Sequence, residues 1–487
     1  MSALPYLQQL RRDKRDFLAA VQARKPLANW VISVGNEAGD LDSLACALAD
    51  AHFAAETDSR HGSNRRHVPL FLSHRNDLGL RPENLLALET AQIPVQDLLT
   101  VDEIDSSGLG GDDGPRFALV DHNVLLDQFR SNRDESSTDL SPVDEAKVVS
   151  ILDHHVDERK HLAADPRVVD LIGSCASLVT RQYVGSSPIT TDVPKPLADL
   201  LLSAIAIDTR MKPVADGGKA ADVDLQAVQT LLPYSSFFNH TISAALPSPS
   251  NGGASTLGSS SATTAATTAA ALEALRAYNS RLSTAKDDVA HLSGHDLLRR
   301  DYKEYHESAS VRYGLSTVPL SLSTWLDRFS ERGQAGVQAV EALLDEVRQW
   351  MDERDLALAG VLTSYAHVKK SGAVGGRRRE ILVVARGGDQ EVEQEGAFGT
   401  IFAGLERDPV LELEQWKARK TYGGIDRGTT RSSPGGGGLG GGSESAEGGA
   451  RWERWQVWQQ GNARATRKQV APALKDLVHA AFGHRPT

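Results

Sequence analysis

Short apolar runs separated by polar turns dominate the first third of the chain. Trp30-Val31-Ile32-Ser33-Val34 reads as a buried strand, and His67–Leu72, Phe117–Val120 and Val148–Leu152 repeat the pattern. Between them the apolar period lengthens to that of a helix, opening near Asp42 and recurring over 76–88, 178–183 and 197–207. The N-terminal stretch MSALPYLQQLRRDKRDFLAAVQARK reads as an amphipathic surface helix. A helical segment, Leu272–Leu292, leads into a second region. There Val318–Phe329, Val337–Trp350, Ala357–Ser364 and Ile381–Ala385 alternate helix and strand character. The expected architecture is α/β: a parallel-sheet domain over residues 1–240, then a smaller α/β domain over 272–487.

Two tracts break the pattern. Residues 247–271 are almost entirely Ser, Thr, Ala, Gly and Pro, a composition that buries too little apolar surface to fold, and read as a flexible insertion. A Gly/Ser-rich linker at 434–449 interrupts the second domain. After it, Trp452, Trp455 and Trp458 recur at helical spacing and read as core or interface.

Composition narrows the class. The chain of 487 residues is 40% hydrophobic and 24% charged, ordinary for globular domains, and has length for more than one. No run approaches the roughly 18–20 apolar residues of a membrane span. The N-terminus lacks the apolar core of a secretory signal. A cytoplasmic location is expected, with the Arg-rich N-terminal helix leaving a mitochondrial pool open. The only two cysteines, Cys46 and Cys175, suit a reducing compartment and no disulfide framework. A formal charge of -11 argues against a nucleic-acid binder, so an anionic substrate would need local cations.

The polar residues that end the apolar runs carry the chemistry. The first strand runs into Gly35-Asn36, with Asp40 and Asp42 just beyond; the third ends on Asp121-His122-Asn123 and the fourth on Asp153-His154-His155. In a parallel sheet the carboxyl ends of the strands are where ligands bind. Paired carboxylates there suit hard divalent cations, although Asp42 or Ser43 could equally serve as a helix N-cap. Gly173–Ser177 forms a small-residue turn into a helix, a start that offers N–H groups to an anion. Asp208 closes an apolar helix at its negative end, a position better explained by a neighbouring cation. Carboxylates and imidazoles gathered at one sheet edge repel unless cations neutralise them. Two ions resolve that and can activate a water for phosphoryl displacement.

GNEAGDLDS (35–43), VDHN (120–123), LDHH (152–155) and AIDT (206–209), in that order, resemble the four motifs of the DHH phosphoesterase superfamily. LLRRDYKEY (297–305) and ATRKQVAP (465–472) are similar to the two basic motifs of its second domain, and VPLFLSHRNDLGLRPE (68–83) to the exopolyphosphatase and prune branch. The resemblance implies metal ligation by Asp40, Asp42, Asp121, His154 and Asp208, with Asp121 bridging. It implies that His155 meets a substrate phosphate, Asp153 orients the site, and Asn36 and His122 stand beside it without an assigned ligand role. Lys303 and Arg467 would clamp phosphate oxygens, with the active site in the cleft between the domains. Pyrophosphatases of the superfamily carry a histidine ligand where Asn36 stands, so the donor set here is harder and suits Mg²⁺ or Mn²⁺.

The expected function is that of an exopolyphosphatase of the fungal cytosolic type: metal-dependent release of terminal orthophosphate from inorganic polyphosphate. Two divalent ions, Mg²⁺ or Mn²⁺, are expected, with no nucleic-acid or membrane partner and a monomeric state. The alternatives within the class are an inorganic pyrophosphatase, disfavoured by Asn36, and a prune-like cyclic-nucleotide phosphodiesterase. Outside it stands a catalytically weak interaction protein on the same scaffold.

Overall fold

The computed structural model describes residues 4–104, 109, 113–131, 140–185, 193–238, 261–308, 311–368, 374–388, 392–432 and 451–482. The Gly/Ser-rich linker and residues 247–260 of the low-complexity tract lie outside them. The chain forms two compact units, Met1–Asp288 and Val289–Thr487.

In the first unit, α1 (Leu4–Gln22) precedes β1 (Trp30–Val34), α2 (Leu41–Arg60), β2 (Arg66–Leu70), α3 (Pro82–Thr90) and β3 (Arg116–Val120). Next come α4 (Pro142–Lys147), β4 (Val148–Asp153), β5 (Arg167–Val169), α5 (Cys175–Thr180), α6 (Lys195–Thr209) and α7 (Asp222–Leu231). The five strands are all parallel, in the order β2-β1-β3-β4-β5. The order reverses between β1 and β3, and such a switch point opens a crevice at the carboxyl ends of the strands. Register aligns those ends: Val34 pairs with Leu119, and Val120 with Leu152. The Asp121 N–H extends the ladder to the Leu152 carbonyl at 2.9 Å.

Apolar continuity dictates what surrounds the sheet. The sequence of α6 is largely apolar, and its residues from Pro196 to Ala206, Asp199 and Ser203 included, are buried, the helix packing against α2, α5 and α7. On α1, Tyr6, Leu10 and Phe17 are buried, so the N-terminal helix docks by an apolar stripe. Two expectations change here. Helix α8 (Ser261–Asp287) begins inside the tract read as unable to fold and belongs to the first unit, so the boundary falls after Asp288. Ala271, Leu275, Tyr278 and Leu282 make a buried stripe at helical spacing, and α8 packs on α3 and α6. Alanine's high helix propensity offsets the low apolarity of its first turns.

In the second unit, α9 (Gly294–Arg300), β6 (Tyr302–Ser308) and β7 (Val311–Val318) are followed by α10 (Leu322–Ser330), α11 (Val337–Arg354), β8 (Leu358–Thr363), β9 (Tyr365–Val368) and β10 (Val374–Gly388). Then come α12 (Val392–Arg407), β11 (Leu413–Gln415), β12 (Arg427–Ser432), β13 (Arg451–Gln460) and α13 (Arg467–Phe482). The main path of its sheet is β11-β13-β10-β8-β7-β6, antiparallel except for β7 and β8. Trp452, Trp455 and Trp458 are buried as expected, but on a strand, β13, and not a helix. A three-residue step alternates faces on a strand. Trp452 and Trp458 join Phe398, Phe402 and Leu474 of α12 and α13, while Trp455 lines the opposite face with Leu326 and Leu343 of α10 and α11.

Candidate metal centre

The site is assembled by three strand ends. After β1 the chain turns at Gly35, where a Cβ would stand 2.5 Å from the Ser43 Cβ, so only glycine lets the loop close on the first turn of α2. The α2 N-cap is Asp40, not Asp42 or Ser43: its backbone is extended and its carboxylate accepts the Ser43 N–H at 3.0 Å. That leaves Asp42 within the first turn, buried and facing the sheet end.

Asp42 fills the anion site that Gly173–Ser177 was expected to offer. Its carboxylate accepts the N–H groups of Cys175 at 2.7 Å and Ala176 at 2.9 Å, with the Ser174 hydroxyl at 3.0 Å. The start of α5 therefore orients a carboxylate of the chain itself. Gly173 and Ser174 donate in turn to Asp224 of α7.

Asp121 follows β3 directly, with φ of 62° in the left-handed region, which Asp tolerates better than most residues. Its Oδ2 accepts from the Asn36 amide at 2.6 Å and the Ser43 hydroxyl at 2.7 Å. Its Oδ1 lies 3.2 Å from His154 Nε2 and 3.6 Å from His155 Nδ1. Asp42 Oδ2 lies 3.9 Å from the same His154 nitrogen. His155 is half-buried and held by Asp153, whose Oδ1 accepts from Nδ1 at 2.7 Å, while Asn123 holds the other oxygen of Asp153. His122 turns away, its Nδ1 bonded to the Val120 carbonyl at 2.9 Å.

Electrostatics mark the cluster as short of positive charge. Burial, then the charge of Asp121, pushes Asp42 up to about 6; burial, then Asp40, pushes Asp121 up to about 6. Asp208, half-buried in the last turn of α6, is pushed up to about 7 by burial and then by Asp42, with Lys286 of α8 opposing. The cation expected near Asp208 thus includes one that the chain supplies. Burial also acts on Asp153, but the hydrogen bond and charge of His155, with Asn123, hold it well below the usual carboxylate range.

These residues fit a divalent ion. Ligand atoms of Asp121, His154 and His155 all lie within 4.8 Å of one another, and the flanking carboxylates carry repulsion that an ion would relieve. Asp40, Asp42 and Asp208 stand in the same electrostatic neighbourhood. Asn36 is no part of the donor set: its Oδ1 accepts the Ala38 N–H at 2.9 Å and its amide nitrogen is given to Asp121.

The cations of the second unit were expected from the basic motifs. Arg467, at the first position of α13, donates Nη1 to the Asp301 carbonyl at 2.9 Å and pairs Nη2 with the Asp301 carboxylate at 2.9 Å. Lys303 is half-buried on β6, two residues beyond that anchor. Arg379 of β10 donates to the Ala463 carbonyl at 2.9 Å, and burial pulls its guanidinium down to about 10. Sequence reasoning missed Lys286, placed Ser174 only within a turn offered to an anion, and gave Ser43, though inside the GNEAGDLDS motif, no role beyond capping. Asn123 stood inside the quoted VDHN motif, the one signal that could have flagged it.

Residues 280–477 match the DHHA2 domain family. That segment carries the DHHA2 domain, and the relatives the chain resembles are prune and exopolyphosphatase proteins. Among relatives, it is 28% identical over 314 residues to the mouse (Mus musculus) protein named Exopolyphosphatase PRUNE1, covering 64% of this chain and 57% of that one. It is 33% identical over 190 residues to the Bos taurus protein of the same name, covering 39% of this chain and 38% of that one. An exopolyphosphatase-related protein of Bacteroides fragilis aligns over 96% of both chains at 11% identity and a TM-score of 0.32, a likeness too low to define a shared fold. The chain spans between about a third and three fifths of the length of these curated relatives. Among the described residues, no helix is long and apolar enough to cross a membrane.

Proposed function

We propose that the protein is a metal-dependent phosphoanhydride hydrolase that releases terminal orthophosphate from inorganic polyphosphate. One observation carries the reading: Asp42, Asp121, His154 and His155 meet at the carboxyl ends of parallel strands, on either side of the sheet's switch point. The relatives named Exopolyphosphatase PRUNE1 give the substrate class.

Asp40, Asp42, Asp121, His154 and Asp208 would hold divalent ions, Mg²⁺ or Mn²⁺. Such ions supply water activation and charge neutralisation at the phosphorus. The chain's own groups do the remainder. Asp153 fixes the His155 ring through Nδ1, so contact with a phosphate oxygen runs through Nε2, and a protonated ring there can donate to the departing oxygen. Arg467 is pre-oriented by Asp301, and a guanidinium suits paired contact with phosphate oxygens. Lys303 adds a point charge for the same anion.

Asn36 favours polyphosphate over pyrophosphate, since its amide serves Asp121 and adds no metal donor. The test is orthophosphate release from long-chain polyphosphate, tripolyphosphate and pyrophosphate, with cyclic AMP assayed for conversion to AMP, each with Mg²⁺, Mn²⁺ or a chelator. Metal-dependent release from polyphosphate that spares pyrophosphate supports the proposal. Turnover of cyclic AMP or pyrophosphate alone rejects it, and a partner bound without any turnover points to the interaction-protein reading.

A further inference from the structure

The two central carboxylates are each half consumed by the chain. On Asp42, Oδ1 takes the Ser174 hydroxyl and the Ala176 N–H, and Oδ2 takes the Cys175 N–H on one side while facing His154 on the other. On Asp121 the division is sharper. Oδ2 receives two charge-assisted bonds, from Asn36 Nδ2 at 2.6 Å and from Ser43 Oγ at 2.7 Å. A carboxylate oxygen has two in-plane lone pairs, so two donors suffice to occupy it.

Neither donor can easily turn away. The Ser43 hydroxyl accepts the Asn36 N–H at 3.0 Å, which aims its single proton at Asp121. The Asn36 amide cannot flip without losing the bond from Ala38 to its oxygen. Gly35 lets the two segments approach closely enough for this exchange.

We propose that Ser43 is a positioning residue of the metal centre: with Asn36 it occupies Asp121 Oδ2, so that Asp121 meets metal through Oδ1 alone. The inference rests on the reading of this cluster as a metal site. It makes any bridge by Asp121 a single-oxygen bridge and excludes chelation through both oxygens. Ser43 touches no substrate in this account; it acts through Asp121.

The test is Mn²⁺ binding to the full-length protein, followed by electron paramagnetic resonance, for wild type, Ser43→Ala and Ser43→Cys. Metal-minus-apo infrared difference spectra report whether the carboxylates bind through one oxygen or two. The expected result is a dissociation constant raised about 10- to 100-fold in Ser43→Ala, the usual consequence of removing a hydrogen bond to a metal ligand. Ser43→Cys, close in size but a weak donor, should follow it with an unchanged melting temperature. Wild type should show one-oxygen carboxylate bands, with a two-oxygen band appearing in Ser43→Ala. Equal Mn²⁺ affinity in all three proteins, a two-oxygen pattern in wild type, or a wild type that binds no Mn²⁺ overturns the proposal. Orthophosphate release is measured in parallel. Intact Mn²⁺ binding with no turnover of polyphosphate rejects the proposed function and leaves the role of Ser43 standing.

Discussion

Asp121 Oδ1 lies 3.2 Å from His154 Nε2 and 3.6 Å from His155 Nδ1, joining the ends of β3 and β4 where the charges of Asp40 and Asp153 also bear on it. That contact gives the first prediction. Asp121→Asn keeps the shape and the bonds within reach of Asn36 and Ser43 but removes the charge. Polyphosphate turnover should fall by on the order of 10²-fold or more, because a ligand is lost and not merely its support. The metal-free protein should melt no lower at pH 8. Near-normal turnover in a folded variant contradicts the assignment of Asp121.

The same crowding predicts how the metal-free protein responds to pH. Asp42 and Asp121 are pushed up to about 6 and Asp208 to about 7, against an ordinary carboxylate value near ~4. A carboxyl that holds its proton more tightly when folded contributes stability at low pH and loses it as pH rises through the folded value. Melting temperature without metal should therefore fall between about pH 4 and pH 7. Asp153 works in the opposite sense, but only at pH values near and below its ordinary range. Mn²⁺ should restore the loss at pH 8, and a chelator should abolish the restoration. Differential scanning fluorimetry reads both; a flat profile contradicts the cluster's electrostatics.

Gly173 lets the chain entering α5 approach the end of α6 and the start of α7 closely. A Cβ there would stand 2.4 Å from Thr209 Cγ2, 2.6 Å from the Asp224 carboxylate and 2.8 Å from the Lys219 carbonyl. Gly173→Ala should cost about 1–3 kcal/mol of stability. Because Ser174, Cys175 and Ala176 all donate to Asp42, it should also weaken Mn²⁺ binding. Denaturant unfolding and Mn²⁺ titration check the two effects separately.

Arg467 should separate substrate handling from metal binding. Arg467→Ala removes charge-assisted bonds worth about 1.5–3 kcal/mol each. KM for polyphosphate should rise about 10-fold or more, with Mn²⁺ affinity unchanged. Arg467→Lys should recover little, since an ammonium cannot reproduce the fork that pairs with Asp301. A loss of Mn²⁺ affinity in either variant contradicts the phosphate role.

Strands β3 and β4 and their strand-end residues were legible because each is a mostly apolar run stopped by charge, at Val120-Asp121 and Leu152-Asp153, whereas the three-residue β5 was too short to read. Less legible was β13. Its sheet is buried on both faces, so the alternation of a half-exposed strand is missing and three tryptophans three residues apart imitate a helix. The start of α8 was hidden for a different reason: composition flagged the tract ending at Ala271 as too poor in apolar surface, but the helix continues past it, and Leu275, Tyr278 and Leu282 join Ala271 in the stripe that seats it on α3 and α6. The partner of the α5 start could not be read at all. A run of small residues announces N–H donors, and only the fold decides that Asp42, over 130 residues away, receives them. Lys286 reaches Asp208 by the same kind of tertiary accident of sequence distance.

The most direct test of the central claim is phosphorus NMR of long-chain polyphosphate during incubation with the purified protein and Mn²⁺. The account predicts growth of the orthophosphate signal with internal phosphates consumed one end-residue at a time, and no growth in a chelator or with Asp121→Asn. Shorter chains accumulating without orthophosphate, or the same release with and without metal, would contradict it.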